Sequence, residues 1–368
     1  MKMLLEPWSI RQVTFANRIA VSPMCQYSSA DGLANDWHLV HLGSRAVGGA
    51  GLVIVEATAV TENGRITPED LGLWNDEQVQ PLRRITRFIS AQGSVPGIQL
   101  SHAGRKASSY RPWVSQTGTV PPEDGGWQPV GASEISFAPT YAEPTALTEP
   151  QLQEIVNAFA VSTKRALEAG FKVIEIHAAH GYLLHQFQSP ISNKRNDNYG
   201  GSFENRIRLT LDVAEAVRGA WPEELPLFFR LSATDWEEGG WTVEDTIELS
   251  KRLKVLGVDL IDASSGGMTA TAKIPVGPGY QTTFSARIRS EADIATGTVG
   301  MITEPAQAEH ILRTGQADLV LLARELLRDP YWALNADEQF SERKTVWPAQ
   351  YQRATHRDQP INEVDLRD

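Results

Sequence analysis

Along the chain, short continuous apolar runs alternate with longer segments whose apolar residues recur at helical spacing. The runs are 19–24 (IAVSPM), 52–57 (LVIVEA), 95–101 (VPGIQLS), 172–176 (KVIEI), 226–232 (PLFFRLS), 258–263 (VDLIDA), 294–300 (IATGTVG) and 318–322 (DLVLL). They are rich in Val, Ile and Leu and largely lack polar alternation, as strands covered on both faces do. The amphipathic segments fall at 36–47, 75–92, 148–169, 203–219, 242–256, 283–292 and 304–313. Thr148, Asp36 and Thr303 stand where N-caps belong, and Gly170 follows the last turn of the longest segment. Eight strands, each followed by a helix, predict a (β/α)8 barrel. A doubly wound sheet usually places a glycine-rich turn after its first strand. Here that strand runs into SPMCQYSSADG, without G-x-G-x-x-G, and no Walker A motif occurs.

The 368 residues are within reach of one large barrel with additions, which places the domain at 1–340. The excess lies in an extended loop at 58–74, a long connection at 102–147 and a tail at 341–368. The long connection carries Pro112, Trp113, Pro121, Pro122, Gly125, Gly126 and Trp127. Its length and tryptophans suit a packed active-site cover. The tail becomes polar after Tyr351, and its last dozen residues read as disordered.

Hydrophobic residues make up 41% and charged residues 21%, enough for a large core. The net charge of −11, without a dense Lys/Arg run, argues against nucleic-acid or anionic-membrane partners. One cysteine, Cys25, rules out an internal disulfide or a cysteine-held zinc or iron–sulfur centre within one chain. No signal peptide fits the first residues, and the most apolar windows are too short to span a bilayer, so a cytoplasmic location is expected.

Barrel chemistry sits at the C-terminal ends of the strands. Those ends supply Pro23, Met24, Cys25 and Tyr27; Glu56, Ala57 and Thr58; Gln99, His102, Arg105 and Lys106; His177, His180 and Tyr182; and Arg230. After them come SSGG (264–267), TGTVG (296–300) and AREL (323–326). Gly297 and Gly300 would let backbone approach an anion, and Ala323-Arg324 opens the next helix, so a phosphate site is expected after strands seven and eight.

These stretches resemble the old yellow enzyme family of flavin-dependent ene-reductases, in its bacterial branch of NADPH dehydrogenases and xenobiotic reductases. The matching segments include NRIAVSPMCQYSS, GIQLSHAGRKA, GFKVIEIHAAHGYLLHQFQSPISNKRNDNYGGSFENR, DLIDASSGG, ATGTVGMIT and ELLRDPYWA, and the likeness extends from about residue 5 to 353. The resemblance implies a barrel with one non-covalent FMN, reduced by NADPH, acting on small enones and related activated alkenes. Pro23, Met24, Cys25, Ala57, Gln99 and Arg230 would line the isoalloxazine. Gly300, Ala323 and Arg324 would meet the phosphate, with Ala323 where many relatives carry glycine. His177 and His180 would bind the substrate carbonyl, Tyr182 would donate a proton and Tyr27 would contact substrate. Arg353 matches an arginine that some relatives insert into the neighbouring active site, which implies a homodimer or homotetramer.

The chemistry of "VIEIHAAHGYLLHQFQSP" fits that reading. A metal site would need a third and usually a fourth ligand, and no acidic residue follows within the segment. Two imidazole donors can instead stabilise enolate-like charge on a carbonyl oxygen while hydride reaches the β-carbon. A phenol then protonates the α-carbon. Alternatives from the sequence are another FMN barrel dehydrogenase, a metal-dependent barrel hydrolase and a non-catalytic flavin-binding protein.

Overall fold

The computed structural model describes residues 2–356 and 358–362. Eight parallel strands close into a barrel: Ile19–Val21, Leu52–Ala59, Val95–Ser101, Val173–Ala178, Leu227–Ser232, Leu260–Ser264, Ala295–Thr298 and Leu319–Leu322. They pair in chain order, and the eighth closes on the first through Val320↔Ile19 and Leu322↔Val21. The expected runs overshoot at several loops. The first strand stops at Val21, since Pro23 has no N–H to continue the ladder.

Helices cover the outside: α1 (Asp36–Val47), α2 (Val79–Ala91), α3 (Glu149–Glu168), α4 (Leu183–Gln188), α5 (Phe203–Ala220), α6 (Val243–Val255), α7 (Thr282–Ala292), α8 (Pro305–Arg313), α9 (Arg324–Arg328) and α10 (Trp332–Phe340). Thr148 caps α3 in a capping box with Gln151. Two expected caps shift by one residue. Asn35, not Asp36, caps α1, because its side chain accepts from Trp37 N and His38 reaches back to it. Glu304, not Thr303, precedes α8, because Pro305 takes the first helical position. Helices α4, α9 and α10 were not legible in the pattern. All six residues of α4 are buried, the polar His185, Gln186 and Gln188 included, so its sequence shows no apolar stripe set against a solvent face.

One core cluster runs through the barrel wall and its helices, from Phe15 and Ile19 to Phe228, Leu260 and Leu321. The connection at 102–147 holds two 3-10 turns and a short parallel pairing of Val130–Gly131 with Thr145–Ala146. Its anchors are cations bound to carbonyls. Arg105 donates to Ile135 O (3.1 Å) and Met268 O (2.6 Å), and Lys106 Nζ to His180 O (2.9 Å). Both cations lie over the ring of Phe137.

The tail departs from expectation. Ile361–Asn362 pairs in parallel with Trp347–Pro348, and Gln359 donates to Thr345 O (2.7 Å). Asp337 of α10 accepts from the backbone N–H groups of Lys344 and Thr345. These bonds order residues 358–362 despite their polar sequence; the rest of the dozen expected to be disordered, 357 and 363–368, lies outside the described residues.

Candidate active site

Strand parity decides which side chains enter the barrel mouth, since alternate residues share a face. Glu175 and His177 share one face of the fourth strand, as Asp262 and Ser264 do on the sixth. Register then sets Gln99 beside Glu175, His177 beside Arg230, and Arg230 beside Asp262. Gln99 Nε2 donates to Glu175 Oε1 at 2.7 Å. Arg230 Nε lies 3.1 Å from Asp262 Oδ2, and its Nη1 donates to Ser22 Oγ at 3.1 Å. Two buried carboxyls therefore accompany one guanidinium. Burial, then the neighbouring Asp262, pushes Glu175 up to about 8, against Arg230 and the bond from Gln99. Burial also raises Asp262, and Arg230 opposes it.

His177 and His180 meet at the strand end with His177 Nε2 and His180 Nδ1 3.3 Å apart. Burial, assisted by Arg230 and Lys106, holds both well below the usual histidine range, so both rings are neutral at pH 7. The segment after them is locked in place. His180 sits at φ 57°, its N–H donates to Ser232 Oγ (2.9 Å) and its carbonyl accepts from Lys106. Left-handed backbone at a non-glycine residue persists only when its surroundings fix it. Gly267 makes room: a Cβ there would lie 2.6 Å from His180 Cα. His185 accepts from Gly181 N at 2.9 Å and faces Asp235 at 2.9 Å, with both side chains fully buried.

Tyr182 packs edge-on to His177, ring centroids 4.8 Å apart. Burial raises its phenol well above the ordinary range, so it stays protonated. Tyr182, Tyr27, Cys25 and Trp127 pack on a small cluster of Ala57, Ile66, Ala103 and Ala107. Glu56 steadies that side by accepting from Gln26 N at 2.9 Å. Tyr27 meets Trp113 edge-on at 5.7 Å.

A cavity of about 250 Å³ is bordered by Arg230, Ser264, Gln281, Gly300, Ala323 and Arg324, and Ser264 Oγ lies 2.7 Å from His180 Nε2. Gly300 has φ 131°, and a Cβ there would lie 2.9 Å from the Tyr280 ring. Ala323 has φ −107°, so its methyl needs no left-handed backbone. Arg324 is exposed and makes no ion pair among the described residues. Helix α9 has only five residues, so Arg324 and free backbone N–H groups carry more of any anion attraction than a helix dipole can. A larger cavity of about 530 Å³, near Asn17, Gly49 and Ser94, lies at the opposite strand ends.

The structure thus gathers Cys25, Tyr27, Ala57 and Tyr182 in one cluster, joins His177 to His180, and sets Arg230, Gly300, Ala323 and Arg324 around one cavity. Pro23 and Met24 lie half-buried at the first strand end, and Gln99 is buried in the third strand. Arg353 stands apart, exposed in the turn Ala349–Ala354. Sequence reading gave no role to Glu175, Asp262, Ser232 or Ser264. The available signal was a polar residue at every second position of otherwise apolar strands. Among the described residues no three His, Cys, Asp or Glu side chains converge as metal ligands would.

The NADH:flavin oxidoreductase / NADH oxidase family matches residues 3–343. The chain is 50% identical over 332 residues to an NADPH dehydrogenase of Geobacillus sp. (strain WCH70), covering 90% of this chain and 92% of that protein. It is 49% identical over 356 residues to one from Listeria monocytogenes serotype 4a (strain HCC23), covering 96% and 99%. Morphinone reductase shares the fold, with TM-score 0.77 at 24% identity over 92% of this chain and 90% of that one. A 2-naphthoyl-CoA reductase superposes with TM-score 0.83 at 25% identity over 93% of this chain, which spans 53% of that longer protein. The chain belongs to the NADH:flavin oxidoreductase / NADH oxidase family and is an FMN-dependent oxidoreductase of the old yellow enzyme kind.

Proposed function

We propose that the protein is an ene-reductase that uses NADPH to reduce the C=C bond of α,β-unsaturated carbonyl compounds. One observation carries the reading: two neutral imidazoles with facing nitrogens 3.3 Å apart, beside a half-buried phenol held in its protonated form. FMN would rest on Pro23, Met24, Cys25, Ala57, Gln99 and Arg230, with its phosphate toward Gly300, Ala323 and Arg324. The 250 Å³ cavity with its close-packed Gly300 and with Arg324, which makes no ion pair among the described residues, fits that placement. Bound there, FMN would supply the hydride chemistry that links NADPH to the alkene, the two partners using the site in turn, in ping-pong order.

The chain's residues do the rest. His177 and His180 donate to the substrate carbonyl oxygen and stabilise the charge that grows there. Tyr182 gives its proton to the α-carbon. A phenol is an adequate acid for so basic a carbon, and its raised pKa keeps the proton available at neutral pH. Arg230 and Gln99 offer a positive charge and an amide to the cofactor's pyrimidine edge. Tyr27 contacts substrate, and the 102–147 connection, pinned by Arg105 and Lys106, covers the site. Arg353 enters the neighbouring protomer's site in a cytoplasmic homodimer or homotetramer. No helix among the described residues is long and apolar enough to cross a membrane.

The test is anaerobic. Purified protein loaded with FMN should bleach with NADPH and recolour with cyclohexenone. His177→Ala and His180→Ala should each weaken phenol binding and slow both steps, by roughly 10²-fold or more for loss of a charge-stabilising donor. Bleaching without recolouring on enone would refute the alkene assignment.

A further inference from the structure

A neutral imidazole has one N–H, so which nitrogen carries it decides whether a histidine pair can supply two donors to one oxygen. At His177 the answer is fixed. Ala179 N donates to its Nδ1 at 3.2 Å, so its own proton is on Nε2. That N–H faces His180 Nδ1 at 3.3 Å, and His180 Nε2 lies 2.7 Å from Ser264 Oγ.

Two arrangements satisfy these contacts. In the first, His177 Nε2–H donates to His180 Nδ1, and His180 Nε2–H donates to Ser264. Every polar atom is paired, but only His177 has a proton directed into the gap, and His180 already accepts it. In the second, His180 carries its proton on Nδ1 and its Nε2 accepts from the Ser264 hydroxyl. Two N–H groups then face one another 3.3 Å apart, a repulsive pairing unless an acceptor lies between them. An oxygen about 2.8 Å from each nitrogen, set to the side of the line between them, relieves that pairing by accepting from both N–H groups as they turn toward it.

Ser264 serves both arrangements because a hydroxyl can accept in one and donate in the other. An amide nitrogen or a carbonyl at that place could serve only one. Backbone contacts hold the ring still while its proton moves, through Ser232, Lys106 and the close approach of Gly267. We propose that Ser264 is the positioning residue that sets the tautomer of His180: the empty pair rests as Nε2–H, and an entering carbonyl or phenolate oxygen selects Nδ1–H. Water in the cavity that Ser264 borders takes the proton from Nε2 and returns one to Nδ1, so the ring stays neutral. The Ser264 hydroxyl rotates from acceptor to donor. The inference rests on the oxygen-binding role proposed above for the pair.

The test uses FMN-loaded enzyme carrying 15N-labelled histidine, with p-hydroxybenzaldehyde as the phenolic probe. Imidazole 15N shifts distinguish the tautomers, and His180 is assigned by the signal missing from His180→Asn. The wild type should show His180 as Nε2–H when free and Nδ1–H when bound, with His177 as Nε2–H in both. Ser264→Ala should bind the phenol roughly tenfold more weakly, the order of one lost hydrogen bond, and Ser264→Thr should restore it. An unchanged His180 tautomer on binding would overturn the proposal. So would wild-type affinity in a Ser264→Ala protein that retains its FMN. The wild-type spectra need no variant, so they decide the matter even if Ser264→Ala sheds its cofactor. Failure of the wild type to bind the phenol at all would instead refute the functional reading.

Discussion

At the scale of single residues, the site stands on carboxyls that sequence reading passed over. Glu175 looked like a polar interruption in an apolar run, yet it is the acceptor for Gln99 and lies fully buried. Its carboxyl, pushed up to about 8, has a consequence for stability. The unfolded carboxyl ionises near its ordinary value of about 4.3, whereas the folded one keeps its proton until about pH 8. The folded state therefore binds more protons between those limits, and this group's contribution is lost as pH rises through that window. Glu175→Gln keeps a carbonyl to accept from Gln99 and removes the titration. Urea unfolding of the variant from about pH 5 to 8 should show a flatter fall in stability than the wild type. An equal slope in both proteins would mean that Glu175 is already ionised in the fold.

At the scale of elements, the turn after the fourth strand and the turn after the sixth are built against each other. Gly267 at φ 86° lies where a Cβ would strike the His180 backbone at 2.6 Å, whereas Gly93 at φ 83° has nothing within 4 Å. The pair separates backbone strain from collision. Gly93→Ala should cost only the left-handed conformation, roughly 1 kcal/mol. Gly267→Ala should cost more and should also displace His180, with phenol affinity falling while FMN remains bound. Equal effects from the two substitutions would show that the turns are not tightly fitted. The barrel strands were legible because strands buried on both faces leave unbroken apolar runs. Their ends were less so: Pro23 stops the first strand by lacking an N–H. His177, His180 and Tyr182 were readable as one group because one strand end carries them all. Ser264 and Asp262 were not, because only strand register brings the sixth strand beside Arg230. Helix α4 was missed because a short, fully buried helix shows no amphipathic stripe.

At the scale of the molecule, the tail is fastened to its own barrel by Asp337, Gln359 and the Trp347–Ile361 pairing. Arg353 and Tyr351 remain outward on the intervening turn, and Tyr351 OH reaches Tyr331 OH at 3.1 Å. A fixed turn is a better platform for a residue acting in trans than a fraying end, since less ordering is needed on association. Arg353→Ala is then a cleaner probe than deletion of the tail, which would also remove those internal bonds. The variant should raise the KM for enone, keep its FMN and keep the dimeric or tetrameric mass. An unchanged KM, or a wild type that is monomeric in solution, would leave Arg353 as surface.

The central claim is that His177 and His180 hold the oxygen while Tyr182 delivers the proton, and stopped-flow separation of the two half-reactions in Tyr182→Phe tests it most directly. The variant should be reduced by NADPH at nearly the wild-type rate and then be reoxidised by cyclohexenone far more slowly, by roughly 10²-fold or more for loss of a general acid. A variant slowed only in the NADPH step, or in neither, would contradict the assignment of Tyr182 as the proton donor.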